Sequence, residues 1–188
     1  MVADRGERVG ILACDPESPI TGGALLGDRC RIAGDAASER IFVRSLATAS
    51  GQQAIAPNIE LMLGLMKVFG FDRIFIETVG AGQGDIAVRR VAEVVVLILQ
   101  PQTGDELQWE KAGILEIADV VVVNKSDLPG ADRTVADVTQ QLQAATGQVT
   151  PVLKTSIARN EASFARSEAL MSGAAILRSL IPVLWWIH

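Results

Sequence analysis

The sequence predicts an α/β fold built on a mostly parallel, doubly wound sheet. Three observations predict it. Short β-branched runs alternate along the chain with segments of helical period, the pattern of right-handed βαβ units. The runs are continuously apolar rather than alternating, as in a parallel sheet buried on both faces. With 49% hydrophobic and 21% charged residues, the 188-residue chain has ordinary globular composition tilted toward burial, and enough length for one domain with a core.

The strand runs fall at residues 9–13, 41–44, 74–79, 94–99 and 120–123, with a weaker sixth at 151–155. After Pro57, the residues Ile59, Leu61, Met62, Leu65, Met66 and Phe69 form a wide helical stripe. A second stripe is carried by Leu107, Ile114, Leu115 and Ile117, and a third by Val135, Val138 and Leu142. No repeat, low-complexity stretch or Gly/Pro-rich linker divides the chain, so residues 1–188 read as one domain, with 161–188 expected as a helical tail. The apolar end of that tail, residues 180–187, is expected to pack on the body or to form a contact surface.

Charge and composition exclude several classes. A net charge of −5 argues against nucleic acid as a partner, because nothing neutralises a row of phosphates. Cys14 and Cys30 are too few for a disulfide framework. The single histidine, His188, rules out a Ser-His-Asp triad or a histidine-centred metal site. No signal-peptide pattern opens the sequence, and the longest apolar run is short and interrupted by Pro182. A cytoplasmic protein without a membrane span is the expectation.

In open parallel sheets ligands bind beyond the carboxyl ends of the strands, so chemistry is sought in the loops there. After the run at 120–123 comes Asn124-Lys125-Ser126-Asp127, the N-K-x-D pattern that reads guanine. The Asp127 carboxylate can accept from both the ring N–H and the exocyclic amino group, neither of which adenine offers there. Asn124 can bond the base edge and tie neighbouring loops, and the stem of Lys125 can cover the ring face. The loop at Thr155-Ser156-Ile157, after the next strand, completes the context that a four-residue pattern needs.

Glu77 is followed by Thr78-Val79-Gly80-Ala81-Gly82-Gln83-Gly84. A carboxylate at a strand end suits hydrated Mg²⁺, which takes few protein oxygens. The glycines allow backbone N–H groups to approach a terminal phosphate. The rival dinucleotide fingerprint fails here, since the spacing is G-x-G-x-G and no acid lies about twenty residues on. Asp15-Pro16 followed by Thr21-Gly22-Gly23 and Gly27-Asp28-Arg29 suits a mobile metal-sensing switch, although an Asx-Pro surface turn accounts for Asp15 equally well. Asp105 and Glu106 lead a helix that carries Lys111. Helix capping explains these acids without function, and Lys111 reads equally as a surface cation.

Together these loops resemble the methylmalonyl-CoA mutase-associated GTPases, the MeaB/ArgK type of the SIMIBI class of P-loop proteins. The likeness runs from about Val9 to Ser156 and includes Val43-Arg44-Ser45 and Gly104-Asp105-Glu106-Leu107-Gln108, a segment ordinary small GTPases lack. The resemblance implies GTP and GDP as ligands and Mg²⁺ held near Asp28 and Glu77. It implies catalytic roles for Asp15, which would orient water, for Glu77, and for Gly80, which would sense the γ-phosphate. Asn124, Lys125, Asp127, Ser156 and Ile157 would bind guanine, and Asp105, Glu106, Gln108 and Lys111 would pass the nucleotide state to a partner. That partner would be a cobalamin-dependent acyl-CoA mutase, whose adenosylcobalamin loading such proteins gate; a homodimer is left open.

Three departures accompany the resemblance. No G-x-x-x-x-G-K-[ST] occurs in these residues. It is expected upstream of Val9, with the central strand, the phosphate loop and most of the following helix, whose end Met1–Arg8 resembles. Ala47-Thr48-Ala49-Ser50-Gly51-Gln52-Gln53 replaces a more Arg/Gly-rich stretch usual after Arg44-Ser45, and the sequence after Glu161 diverges. Very weak GTP binding, or a non-catalytic mutase-binding module, is therefore the expectation for these residues alone.

Overall fold

The computed structural model describes residues 6–16, 40–48, 55–78, 83–101, 112–146, 149–156, 158–159 and 161–164. They fall into two compact units divided between Ala92 and Glu93. Each unit carries one sheet.

In the first unit β1 (Val9–Pro16) lies between β2 (Ile41–Thr48) and β3 (Arg73–Thr78), and both pairings are parallel. In-register neighbours in a parallel sheet share a face, and the faces alternate along each strand. One face carries Leu12, Cys14, Leu46, Ile74 and Ile76, which form a core with Ile59, Met62, Leu63 and Met66 of α1 (Ile59–Val68). The other face gathers Val9, Ile11, Ile41, Val43 and Phe75 into a second cluster. Gly10 lets α1 approach β1 closely: a Cβ there would lie 1.9 Å from Met66 Cε and 3.4 Å from Phe71.

α1 begins after Asn58, whose φ of 63° is a left-handed conformation asparagine tolerates, and it ends where Gly70 adopts φ 76°. The stripe read from sequence is only partly internal. Ile59 and Met66 are buried and Met62 packs against them, whereas Leu61, Leu65 and Phe69 are exposed. A stripe wider than the sheet face it meets leaves its flank in water. A 3₁₀ helix, Gln83–Arg90, follows β3.

The second unit has the strand order β4 (Val96–Leu99), β5 (Val120–Val123), β6 (Val152–Ser156), β7 (Glu161–Phe164). β4, β5 and β6 pair in parallel, and β7 returns antiparallel on β6. All four valines of β5 are fully buried, as a central parallel strand requires. α2 (Ala112–Ile117) and α3 (Ala131–Thr146) follow β4 and β5 in sequence. They cover the face carrying Leu97, Leu99, Val121, Val123 and Val152 through Leu115, Val138 and Leu142.

Two sequence expectations change. β1 runs on through Pro16, because β2 pairs with it as far as Thr48, so Asp15 sits within a strand and not in a loop beyond it. Glu77 lies inside β3 near its carboxyl end, within the run read at 74–79. Residues 161–164, expected as the start of a helical tail, form β7 instead, since the turn at 158–159 brings them back along the open edge of β6. Among the described residues no helix is long and apolar enough to cross a membrane.

Candidate functional site

The N-K-x-D turn leaves the carboxyl end of β5, and both neighbouring strands hold it. From β4, Leu99 O accepts the Asn124 backbone N–H at 2.8 Å. One residue on, Gln100 Oε1 accepts from the Lys125 ammonium at 3.1 Å. From β6, Thr155 O accepts the Ser126 N–H at 3.0 Å, and Thr155 Oγ1 donates to Asn124 Oδ1 at 3.1 Å. The Ser156 hydroxyl donates to Asp127 Oδ1 and accepts the Arg159 N–H at 3.2 Å. Leu128 N closes the turn on Lys125 O at 2.9 Å.

Each bond has a consequence for recognition. With its carbonyl oxygen taken by Thr155, the Asn124 amide directs its NH₂ to donate elsewhere. Asn124, Thr155 and Ser156 are buried, so these contacts form largely out of water, where hydrogen bonds set geometry firmly. The Ser156 hydroxyl, foremost, holds the Asp127 carboxyl below the ordinary aspartate range, with its own backbone N–H assisting. Like any aspartate, Asp127 is ionised and acceptor-only at neutral pH, and it has lone pairs beyond the one Ser156 occupies. Lys125 has φ 55°, a left-handed conformation that costs a non-glycine residue roughly 1–2 kcal/mol. Such strain persists only where surrounding bonds impose it, and it concentrates at functional sites.

In the first unit a separate polar row lies at the strand ends. Ser45 of β2 and Glu77 of β3 both pair with Ala13 of β1, so the two flank it on one face, with Asp15 two residues further along that face. Asp15 is 3% exposed and Glu77 half-buried. Ser45 Oγ is buried and has no hydrogen-bond partner among the described residues. Thr48 Oγ1 donates to Asp15 O at 3.0 Å and secures the end of the pairing. On the opposite face burial pushes the Cys14 thiol up, a lesser part coming from the carboxylates of Asp15 and Glu77. Two carboxylates and an unsatisfied hydroxyl on one face fit an ion that takes few protein oxygens and keeps its waters. No group of three or more such ligands is formed among the described residues.

The structure thus brings Asn124, Lys125, Asp127 and Ser156 together, and it puts Asp15 and Glu77 on one face of the other sheet. Gly80, Asp28, Asp105, Glu106, Gln108, Lys111 and Ile157 lie outside the described residues. Sequence reasoning missed Gln100 as a partner of the turn. A polar residue directly after a strand that neighbours the motif's strand was the signal available.

A profile of the methylmalonyl-CoA mutase-associated GTPase MeaB matches residues 1–170. The chain belongs to the MeaB family. A Pyrococcus abyssi protein assigned as a GTPase is 44% identical over 126 residues, which are 67% of this chain and 39% of that one. The mouse methylmalonic aciduria type A homolog, mitochondrial, is 39% identical over 127 residues, 68% of this chain and 31% of its own. A fused isobutyryl-CoA mutase of Geobacillus kaustophilus is 38% identical over 136 residues, 72% of this chain and 12% of the relative. The chain therefore spans well under half the length of these relatives. Among solved structures, HypB from Helicobacter pylori in complex with nickel aligns with TM-score 0.59 at 19% identity, covering 82% of this chain and 69% of that one. HypB from Archaeoglobus fulgidus gives TM-score 0.54 at 16% identity, with 84% and 71% covered. These likenesses establish that the chain shares the α/β fold of the HypB structures. MeaB proteins are mutase-associated GTPases, so guanine nucleotide is the ligand class of the family.

Proposed function

We propose that this chain supplies the base-reading and metal-facing parts of a GTPase that serves a cobalamin-dependent acyl-CoA mutase, gating adenosylcobalamin loading and protecting the mutase. The observation that carries the reading is the N-K-x-D turn held from both β4 and β6, with the Asp127 carboxylate bonded to the Ser156 hydroxyl. In this reading Asp127 accepts the two donors of guanine, Asn124 donates to the base edge and joins it to β6, and Lys125 covers the ring. Ser156, with Ile157 beside it, completes the pocket for the base. Asp15 orients the attacking water, and Gly80 reports the γ-phosphate. Mg²⁺, held by Glu77 and Asp28, would neutralise charge on the phosphates when bound. Asp105, Glu106, Gln108 and Lys111 would carry the nucleotide state to the mutase. The relative in which a similar region is part of a fused isobutyryl-CoA mutase supports such a partner.

The alternative to be separated from this reading is a module that binds the mutase without catalysis. Calorimetry with GTP, GDP and ATP, each with and without Mg²⁺, tests base selectivity directly. Capture of an acyl-CoA mutase on the immobilised chain then separates the readings. Capture strengthened by GTP supports the GTPase chaperone, whereas capture indifferent to nucleotide supports the module. Equal affinity for ATP and GTP would sink the guanine assignment.

A further inference from the structure

The exit of β4 meets the N-K-x-D turn residue for residue. Leu99 O takes the Asn124 N–H, and Gln100 Oε1 takes the Lys125 ammonium. The backbone bond fixes where Gln100 stands relative to the turn, so the side-chain bond has a defined length to span. The exit also packs near the far end of the turn, where Pro101 O lies 3.8 Å from the Cβ position of Gly130. Lys125 starts from a left-handed backbone that is itself fixed by the Ser126 and Leu128 N–H bonds. Both ends of its long side chain are thereby anchored, the Cα by the turn and the Nζ by Gln100. A lysine stem otherwise samples many rotamers, and that freedom has to be given up before its methylenes can lie flat on a ring.

We infer that Gln100 is a positioning residue for the purine: by holding the Lys125 ammonium at the end of β4, it lays the lysine stem where the ring face stacks. The inference rests on the guanine-site reading proposed above. A side-chain carbonyl suits the task, because its oxygen accepts from the ammonium. A glutamate would serve the same geometry, whereas a leucine offers no acceptor. Gln100 acts on the face of the ring, and the face carries no donor pattern. Guanine and hypoxanthine, which lacks the exocyclic amino group, therefore depend on Gln100 equally. Asp127 reads the edge, and there the two bases differ.

Calorimetry of the full chain with GDP, IDP and ADP tests this, using wild type, Gln100→Leu, Gln100→Glu, Lys125→Met and the Gln100→Leu/Lys125→Met double variant. Gln100→Leu is expected to weaken GDP and IDP by the same factor, about fivefold, for one lost hydrogen bond. Gln100→Glu is expected to restore wild-type affinity. In the Lys125→Met background, Gln100→Leu should cost nothing further, because the ammonium it served is gone. Gln100→Asn, too short to reach, should behave as Gln100→Leu and replaces it should the leucine variant misfold. Wild type that prefers GDP to ADP while Gln100→Leu binds unchanged would overturn the inference and leave the guanine site standing. So would an equal loss in the Lys125→Met background. Wild type with no preference for GDP over ADP would remove the site reading and this inference with it.

Discussion

Asp127 and Ser156 lie 29 residues apart in sequence and share one hydrogen bond, which lowers the proton affinity of the carboxyl proposed to read the base. Because its folded pKa is depressed, Asp127 stabilises the fold above the ordinary aspartate value of about 3.9, and that contribution is lost as pH falls through the lower folded value. Carbon-detected NMR titration should therefore place Asp127 below the ordinary range, and Ser156→Ala should move it back toward that range. Asp127→Ala should weaken GDP by about a hundredfold, since charge-assisted bonds contribute roughly 1.5–3 kcal/mol each. It should also erase the preference for GDP over IDP, as competition binding would show. The motif residues were legible in the sequence because chemistry demands their spacing. The roles of Thr155 toward Asn124 and of Gln100 toward Lys125 were not, because each joins residues 31 or 25 positions apart that only the β4–β5–β6 order makes neighbours.

Among the elements, the strands were legible because buried parallel strands read as apolar runs, and β5 is the clearest case. Their ends were less so. Asp15 and Pro16 look like a turn in isolation, yet pairing with β2 draws them into β1. β7 has the composition of a helix start and is a strand because β6 offers it an open edge. For α1, periodicity marked the helix but could not divide its wide stripe into a buried and an exposed part. That division makes a measurable contrast. Met66→Ala should lower stability by about 2–4 kcal/mol, as large-to-small changes in a core do, whereas Leu65→Ala on the exposed flank should cost under about 1 kcal/mol. Gly10→Ala drives a new methyl against the Met66 terminus with Phe71 close by, and should cost about 1–3 kcal/mol. Urea unfolding of the three variants checks all of these values.

On the scale of the whole molecule, the acidic balance predicts behaviour that no single site controls. With a sequence pI near 4.9, solubility should pass through a minimum near that pH, which turbidity against pH would record. Two sheets of different membership also invite the question of which unit opens first, and Cys14 supplies a clock for one of them. Its sulfur is enclosed between β1 and α1, only 2% exposed, and its thiol is held in the unreactive protonated form. The chain has just two cysteines, at positions 14 and 30, and none from Glu93 onward. With Cys30 replaced by serine, alkylation can proceed only through openings that expose the interior of the first unit. Slow addition of iodoacetamide would then report the breathing of that unit alone, and repeating it with GDP present would show whether added nucleotide slows it.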